Sequence, residues 1–281
     1  MLAILHKSFV VINAIDLLGI QIHSRIRVSM RKVVGADWAG KGWFTAARTG
    51  EDTVHCDLFP SITSLWRHHR DAALILLTIP IGLPSGDDHR RRCDERAKRL
   101  LGPRHHGVFY APIRPAVYEH NLPAAKALNA EAGFGIQNQT WSLVPRMREV
   151  DEFLDAHPGA RDRCRETHPE VCFRALNGGP LDNPPTGTPG LEERFALLTS
   201  VESSFEEPIT AAVDTFTYPR FAPLVRDRGH IYAAFVAALT ASRPPESRST
   251  LPESPPTDSR GLPMEIVYPT DMHQLTLEDL E

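Results

Sequence analysis

Asp37 closes the run Lys32-Val-Val-Gly-Ala-Asp37 and is followed by Trp-Ala-Gly-Lys-Gly-Trp. A carboxylate at the end of a buried strand, beside a Gly-rich turn, can hold a divalent cation and leave room for a phosphate. Two further strand ends invite the same reading. One is Thr78 in Leu-Thr-Ile-Pro-Ile-Gly-Leu-Pro; the other is Glu166 in Glu-Thr-His-Pro-Glu-Val-Cys-Phe. Carboxylates converging from different strands build two-metal phosphoryl-transfer sites. Each of these residues serves equally well as a turn or cap residue, so the spacing alone leaves both readings open. Lys41 sits in the Gly turn beside Asp37, as a phosphate contact or an exposed turn lysine. Arg114, held in Pro-Ile-Arg-Pro, and Arg148, close behind Gln139, Trp141 and Arg146, offer phosphate contacts, with Trp141 either a stacking platform or a core residue. Cys164, His168 and Cys172 are spaced four apart, but Pro169 is expected to break a helix there and no fourth ligand is evident, which argues against zinc.

These groups need a scaffold. Apolar runs predict strands ending at Asp37, at Trp43–Ala47, Thr53–Phe59 and Leu74–Ile79, the last continuous enough for a central strand covered on both faces. Pro60-Ser61 opens a helix with Ile62, Leu65 and Trp66 inward. Cys93, Ala97, Leu100 and Leu101 mark one core face of a helix whose other faces carry Arg90, Arg91, Arg92, Arg96, Lys98 and Arg99 with Asp94 and Glu95. That charge run reads as a solvated face with i,i+4 ion pairs, or as a phosphate-contacting surface. Helices are predicted at Arg146–His157, Gly190–Ser200 and Ile231–Ala241, and a short strand at Arg163–Thr167. The Gly/Pro-rich stretch 177–190 reads as a loop, and 243–263, with six prolines, as an extended connection before an edge strand at Met264–Tyr268. The alternation predicts an α/β layered domain with helices on both faces.

The chain has 281 residues, 42% hydrophobic and 23% charged, which suits a globular fold with a real core. The net charge of −4 gives no global field for nucleic acid, so any such binding requires a local patch. The four cysteines form no C-x-x-C pair and are expected to be reduced thiols in a cytoplasmic protein. Residues 1–29 are apolar but cut by His6, Lys7, Asn13 and Asp16, fitting neither a membrane span nor a signal peptide. Met30 is therefore expected to be the natural start, with 1–29 an extension, 30–270 one domain and 271–281 a tail.

The strings GADWAGKGW, TIPIGLP, RRCDERAKRLLG, VFYAPIRP, REVDEFL, ETHPEVCF, ALTA and GLPMEIVYP occur in this order from about Lys32 to Pro269. In combination they resemble the family labelled domain of unknown function 429, described as predicted nucleases with an RNase H-like fold. The resemblance implies a mixed, roughly five-stranded sheet with helices on both faces, and phosphodiester hydrolysis with Mg²⁺ or Mn²⁺. It carries over Asp37 as the first-strand acid, and Glu166 with His168 and Glu170 as the acidic HPE segment. Where the family usually has an Asp before Ile-Pro-Ile-Gly-Leu, this chain has Thr78; where its last helix usually carries two carboxylates, this chain has His230 and Ala233. The expected metal set is thus Asp37, Glu166 and His230, with Mn²⁺ tolerating the histidine better than Mg²⁺. With so few acids, nuclease activity is expected to be weak or absent. A non-catalytic protein that binds nucleic acid or nucleotide on the same surface is the alternative, and an actin-like phosphotransferase is disfavoured because no second Gly-rich phosphate loop is found.

Overall fold

The computed structural model describes residues 31–50, 52–85, 90–217 and 225–270; the expectations for 1–29 and 271–281 lie outside them. Among the described residues seven strands run in chain order: β1 Val33–Trp38, β2 Trp43–Arg48, β3 Val54–Phe59, β4 Leu74–Leu77, β5 Cys164–Glu166, β6 Arg248–Leu251 and β7 Ile266–Pro269. The helices are α1 Ile62–His69, α2 Arg92–Leu101, α3 Arg114–Val117, α4 Leu122–Glu131, α5 Asn138–Ala156, α6 Pro158–Arg161, α7 Pro169–Asn177, α8 Thr188–Val201, α9 Glu206–Phe216 and α10 Arg228–Ser242.

The first five strands form one mixed sheet in the order β3-β2-β1-β4-β5. β1, β2 and β3 are an antiparallel meander, and β4 and β5 run parallel to β1. Tight turns suffice for the meander, whereas the parallel strands need helical crossovers. Side chains alternate across the sheet. Val34, Ala36, Ile75, Leu77 and Cys164 face α1 and α5, burying Leu65, Val144, Met147, Val150 and Leu154. Val33, Leu74 and Leu76 face α10 and β7. The α/β class, the five strands and the covering of both faces match the expectation.

Three expectations change. Pro169 does not break a helix but opens one, as the first residue of α7, where its missing N–H has no partner to lose. The proline-rich connection contains β6, which pairs with β7 in a separate two-stranded sheet, so β7 does not extend the edge of the main one. The parallel bridge of Thr167 to Val267 ties the two sheets together. Helix α5 begins at Asn138, well before the expected Arg146, and carries Pro145 inside it.

Candidate functional site

The site grows from Gly35. A Cβ there would lie 2.0 Å from the carbonyl oxygen of Ala234 and 2.2 Å from the nitrogen of Ala238, so α10 rests directly on the β1 backbone. The helix stretch Ile231–Ala241 is buried on every side, and its alanines allow that approach. Asp37 lies two residues beyond Gly35 on the same face, about 6.6 Å along the strand. His230 lies one turn before Ala234, about 6 Å back along the helix. The two advances agree, and the first turn of α10 delivers His230 to Asp37. The segment entering α10 is pinned to the β1–β2 turn, with Gly40 bridged to Val225 and the Arg226 N–H donating to Ala39 O. Asp227 caps α10 by accepting from the Gly229 N–H.

His230 Nδ1–H donates to Asp37 Oδ2 at 2.6 Å, and the Thr78 hydroxyl donates to Asp37 Oδ1. Both oxygens of Asp37 are therefore engaged, by two of the residues that stand where the resemblance would place acids. Burial opposes charge on His230, but the hydrogen bond and the negative charge of Asp37 outweigh it and raise the pKa above the usual histidine value. With Nδ1 committed, Nε2 makes no hydrogen bond among the described residues, and the side chain is 24% exposed. The neutral ring can accept a proton at Nε2; the charged ring can donate Nε2–H to an anion. Ala233, one turn-step further on, is buried and contributes no polar group.

Glu166 does not join this cluster. Ala36, Leu77 and Glu166 are register partners across β1, β4 and β5, so the pleat sends Glu166 to the face opposite Asp37. There Glu166 is 4% exposed and takes Arg91 Nη1 at 2.6 Å and Nη2 at 2.8 Å, with the Ile81 N–H at 2.6 Å. Arg91 also binds Asp94 and the carbonyls of Ile81 and Gly82. Burial lifts Glu166 to about 7, against the pull of Arg91 and with a further push from Asp94. Glu170 is likewise held by Arg194, from Nε at 2.8 Å and from Nη2 at 2.5 Å. Glu166, expected in the catalytic and metal sets, and Glu170, expected in the catalytic set, are thus each engaged in an ion pair with a buried arginine.

His168 caps the entry to α7, with Nε2 3.4 Å from Gly107 O and Nδ1 buried without a partner. Burial lowers its pKa, against the charge of Glu170, the hydrogen bond to the Gly107 carbonyl and the charges of Asp94 and Asp37. The arginines expected to touch nucleic acid are committed inside the protein. Arg114 clamps Asp151 at 3.0 and 3.2 Å and also binds Asp258, while Arg148 donates to the carbonyls of Val117 and Glu119. Lys41 stays exposed in the turn beyond Asp37.

The donor set does not fit a pair of Mg²⁺ ions, which want oxygen ligands in near-octahedral order. Asp37 is one carboxylate with both oxygens bonded, and among the described residues no three of His, Cys, Asp and Glu converge to hold an ion. Sequence reasoning missed Arg91 and Arg194 as the partners of the acids. Arg91 was visible as one of a charge run, but nothing in its spacing singled it out as the buried member.

No helix among the described residues is long and apolar enough to cross a membrane. No curated protein matches the chain, and no solved structure does. The model of the family described as "Protein of unknown function (DUF429)" matches residues 35–257, which take in Gly35, Asp37, Thr78, Glu166 and His230, and by that match over most of its length the chain belongs to this family.

Proposed function

We propose that this chain is a non-catalytic relative of RNase H-like nucleases that binds nucleic acid or nucleotide by its phosphate at the Asp37–His230 rim. One observation carries the reading: Thr78 and His230 close on both oxygens of Asp37 where metal-binding acids would otherwise stand. A site of several carboxylates repels phosphate until cations fill it. Here Asp37 raises the pKa of His230, and once that ring is charged it offsets the carboxylate, so that a phosphate oxygen can approach Nε2–H without a metal. The exposed Lys41 adds a positive charge in the adjoining turn. The mixed five-stranded sheet with both faces covered is in keeping with the RNase H-like resemblance.

The test is fluorescence anisotropy with labelled mononucleotides and 20-mer RNA and DNA, in EDTA and in Mn²⁺, with hydrolysis followed in parallel. Binding is expected to persist in EDTA and to weaken about tenfold in His230→Ala, the loss of one charge-assisted hydrogen bond. Metal-dependent cleavage that disappears in Asp37→Asn would overturn this reading in favour of a nuclease.

A further inference from the structure

Helix α2 carries a basic face on Arg92, Arg96, Lys98 and Arg99. Its only carboxylates are Asp94, buried against Arg91, and Glu95. Arg92, Glu95, Arg96 and Arg99 follow at i, i+3, i+4 and i+7 and form one stripe, with Arg92 and Arg99 exposed. Beside it, Arg90 lies with its guanidinium carbon 4.5 Å from the Tyr110 ring centre and 5.5 Å from that of Phe134, and Lys98 Nζ lies 4.9 Å from the Tyr110 centre. Two cations thus share one aromatic ring, and neither makes a hydrogen bond or ion pair among the described residues. Burial lowers the pKa of Lys98, Asp94 opposes the shift, and the charge of Arg90 adds to it. Like charges held this close are relieved by an anion between them. The ring contacts also fix two long side chains that would otherwise lose entropy on binding. The 3-10 segment Gly102–Gly107 continues α2 and ends beside His168, on the side chain's Nε2.

We propose that Arg90 and Lys98 over Tyr110 form a phosphate clamp which, with Arg92 and Arg96, holds the backbone of a nucleic acid running toward the Asp37–His230 rim. Successive stripe residues stand about 4.5–6 Å apart along the helix axis, a step that long side chains match to neighbouring phosphates. The contacts carry charge and no base reading, so binding is independent of sequence and steep in salt. With a net charge of −4 the chain offers no global attraction, so binding needs a local patch such as this one. This inference rests on the phosphate-binding reading of the rim and names the partner that would reach it.

The experiment compares the full chain with Arg90→Gln/Lys98→Gln, both checked for fold by circular dichroism and melting temperature. Each is titrated in EDTA with a labelled mononucleotide, a labelled single-stranded 20-mer, heparin and phosphatidylserine vesicles, over a range of salt. The double variant is expected to bind the 20-mer at least tenfold more weakly. Its slope of log affinity against log salt should be shallower by about 1.4, two contacts at about 0.7 each on single strands. Its mononucleotide affinity should equal that of the wild type. An unchanged 20-mer affinity and slope, with mononucleotide still bound, would remove the clamp and leave the rim reading standing. A clamp-dependent 20-mer with no mononucleotide binding would keep the clamp and remove the rim reading. Equal, clamp-dependent binding of heparin or vesicles would overturn the assignment to nucleic acid.

Discussion

At the scale of single residues, the site turns on which carboxylates are free to act, and that depends on partners far away in the chain. Asp37 keeps a partner that can release or take a proton, while Glu166 and Glu170 are locked by Arg91 and Arg194. The His230–Asp37 pair has a definite pH signature. The folded-state pKa of His230 is raised, so the pair's stabilisation is fully present below the ordinary histidine value of about 6.5 and is lost as pH rises through the higher folded value. Melting temperatures of wild type and Asp37→Asn should therefore differ most in mildly acidic buffer and converge on the alkaline side; a difference that ignores pH would refute the pairing. Glu166 makes the opposite kind of prediction. Removing one member of a buried ion pair strands the other, so Glu166→Ala should cost about 3–5 kcal/mol in urea denaturation. Mononucleotide affinity of the folded fraction should be untouched, because Glu166 faces the other side of the sheet. Full stability with lost binding would mean that Glu166 belongs to the site after all. The strand-end acids were legible as residues. Their separation was not, because it depends on the register of β5 against β4, and a slip of one residue would reverse the face.

At the scale of elements, α10 rests backbone to backbone on β1, and Gly35 is what permits it. The sequence announces both halves: a glycine in the middle of a strand, where it is otherwise weakening, and an alanine-rich helix with no polar face. What it does not announce is that the two meet, since nearly two hundred residues lie between them. Gly35→Ala should push α10 off the sheet, because the new methyl would meet backbone atoms rather than a flexible side chain. Overpacking of this kind costs about 1–3 kcal/mol. The same shift would carry His230 away from Asp37. NMR titration of His230 in Gly35→Ala should then show its pKa falling back toward the ordinary histidine value, alongside a lower melting temperature. An unmoved His230 titration would show that the first turn of α10 is positioned by its cap and the Arg226–Ala39 hydrogen bond instead.

At the scale of the whole molecule, the family match ends at residue 257, yet the fold does not. Beyond it the chain turns back into the core, where Leu262, Met264, Ile266, Val267 and Tyr268 are all buried. Asp258 organises this return by accepting from the N–H groups of Leu83, Arg260 and Leu262 while binding Arg114, so it ties the loop after β4 to the closing segment. The proline-rich stretch before it disguised the turn-back, since prolines read as a surface connection even where β6 forms between them. Burying a large apolar side chain contributes about 1.5–3 kcal/mol, so five of them together weigh about 8–15 kcal/mol, comparable to the net stability of a typical domain. A chain truncated after residue 257 would lose all of these and would also uncover Thr167, whose hydroxyl donates to Val267 O. That truncation should lose its near-ultraviolet circular dichroism and its cooperative melt, while a chain ending at residue 270 keeps both. A cooperatively folded 1–257 would mean that the core closes without its last strand and that residues 258–270 merely cover it.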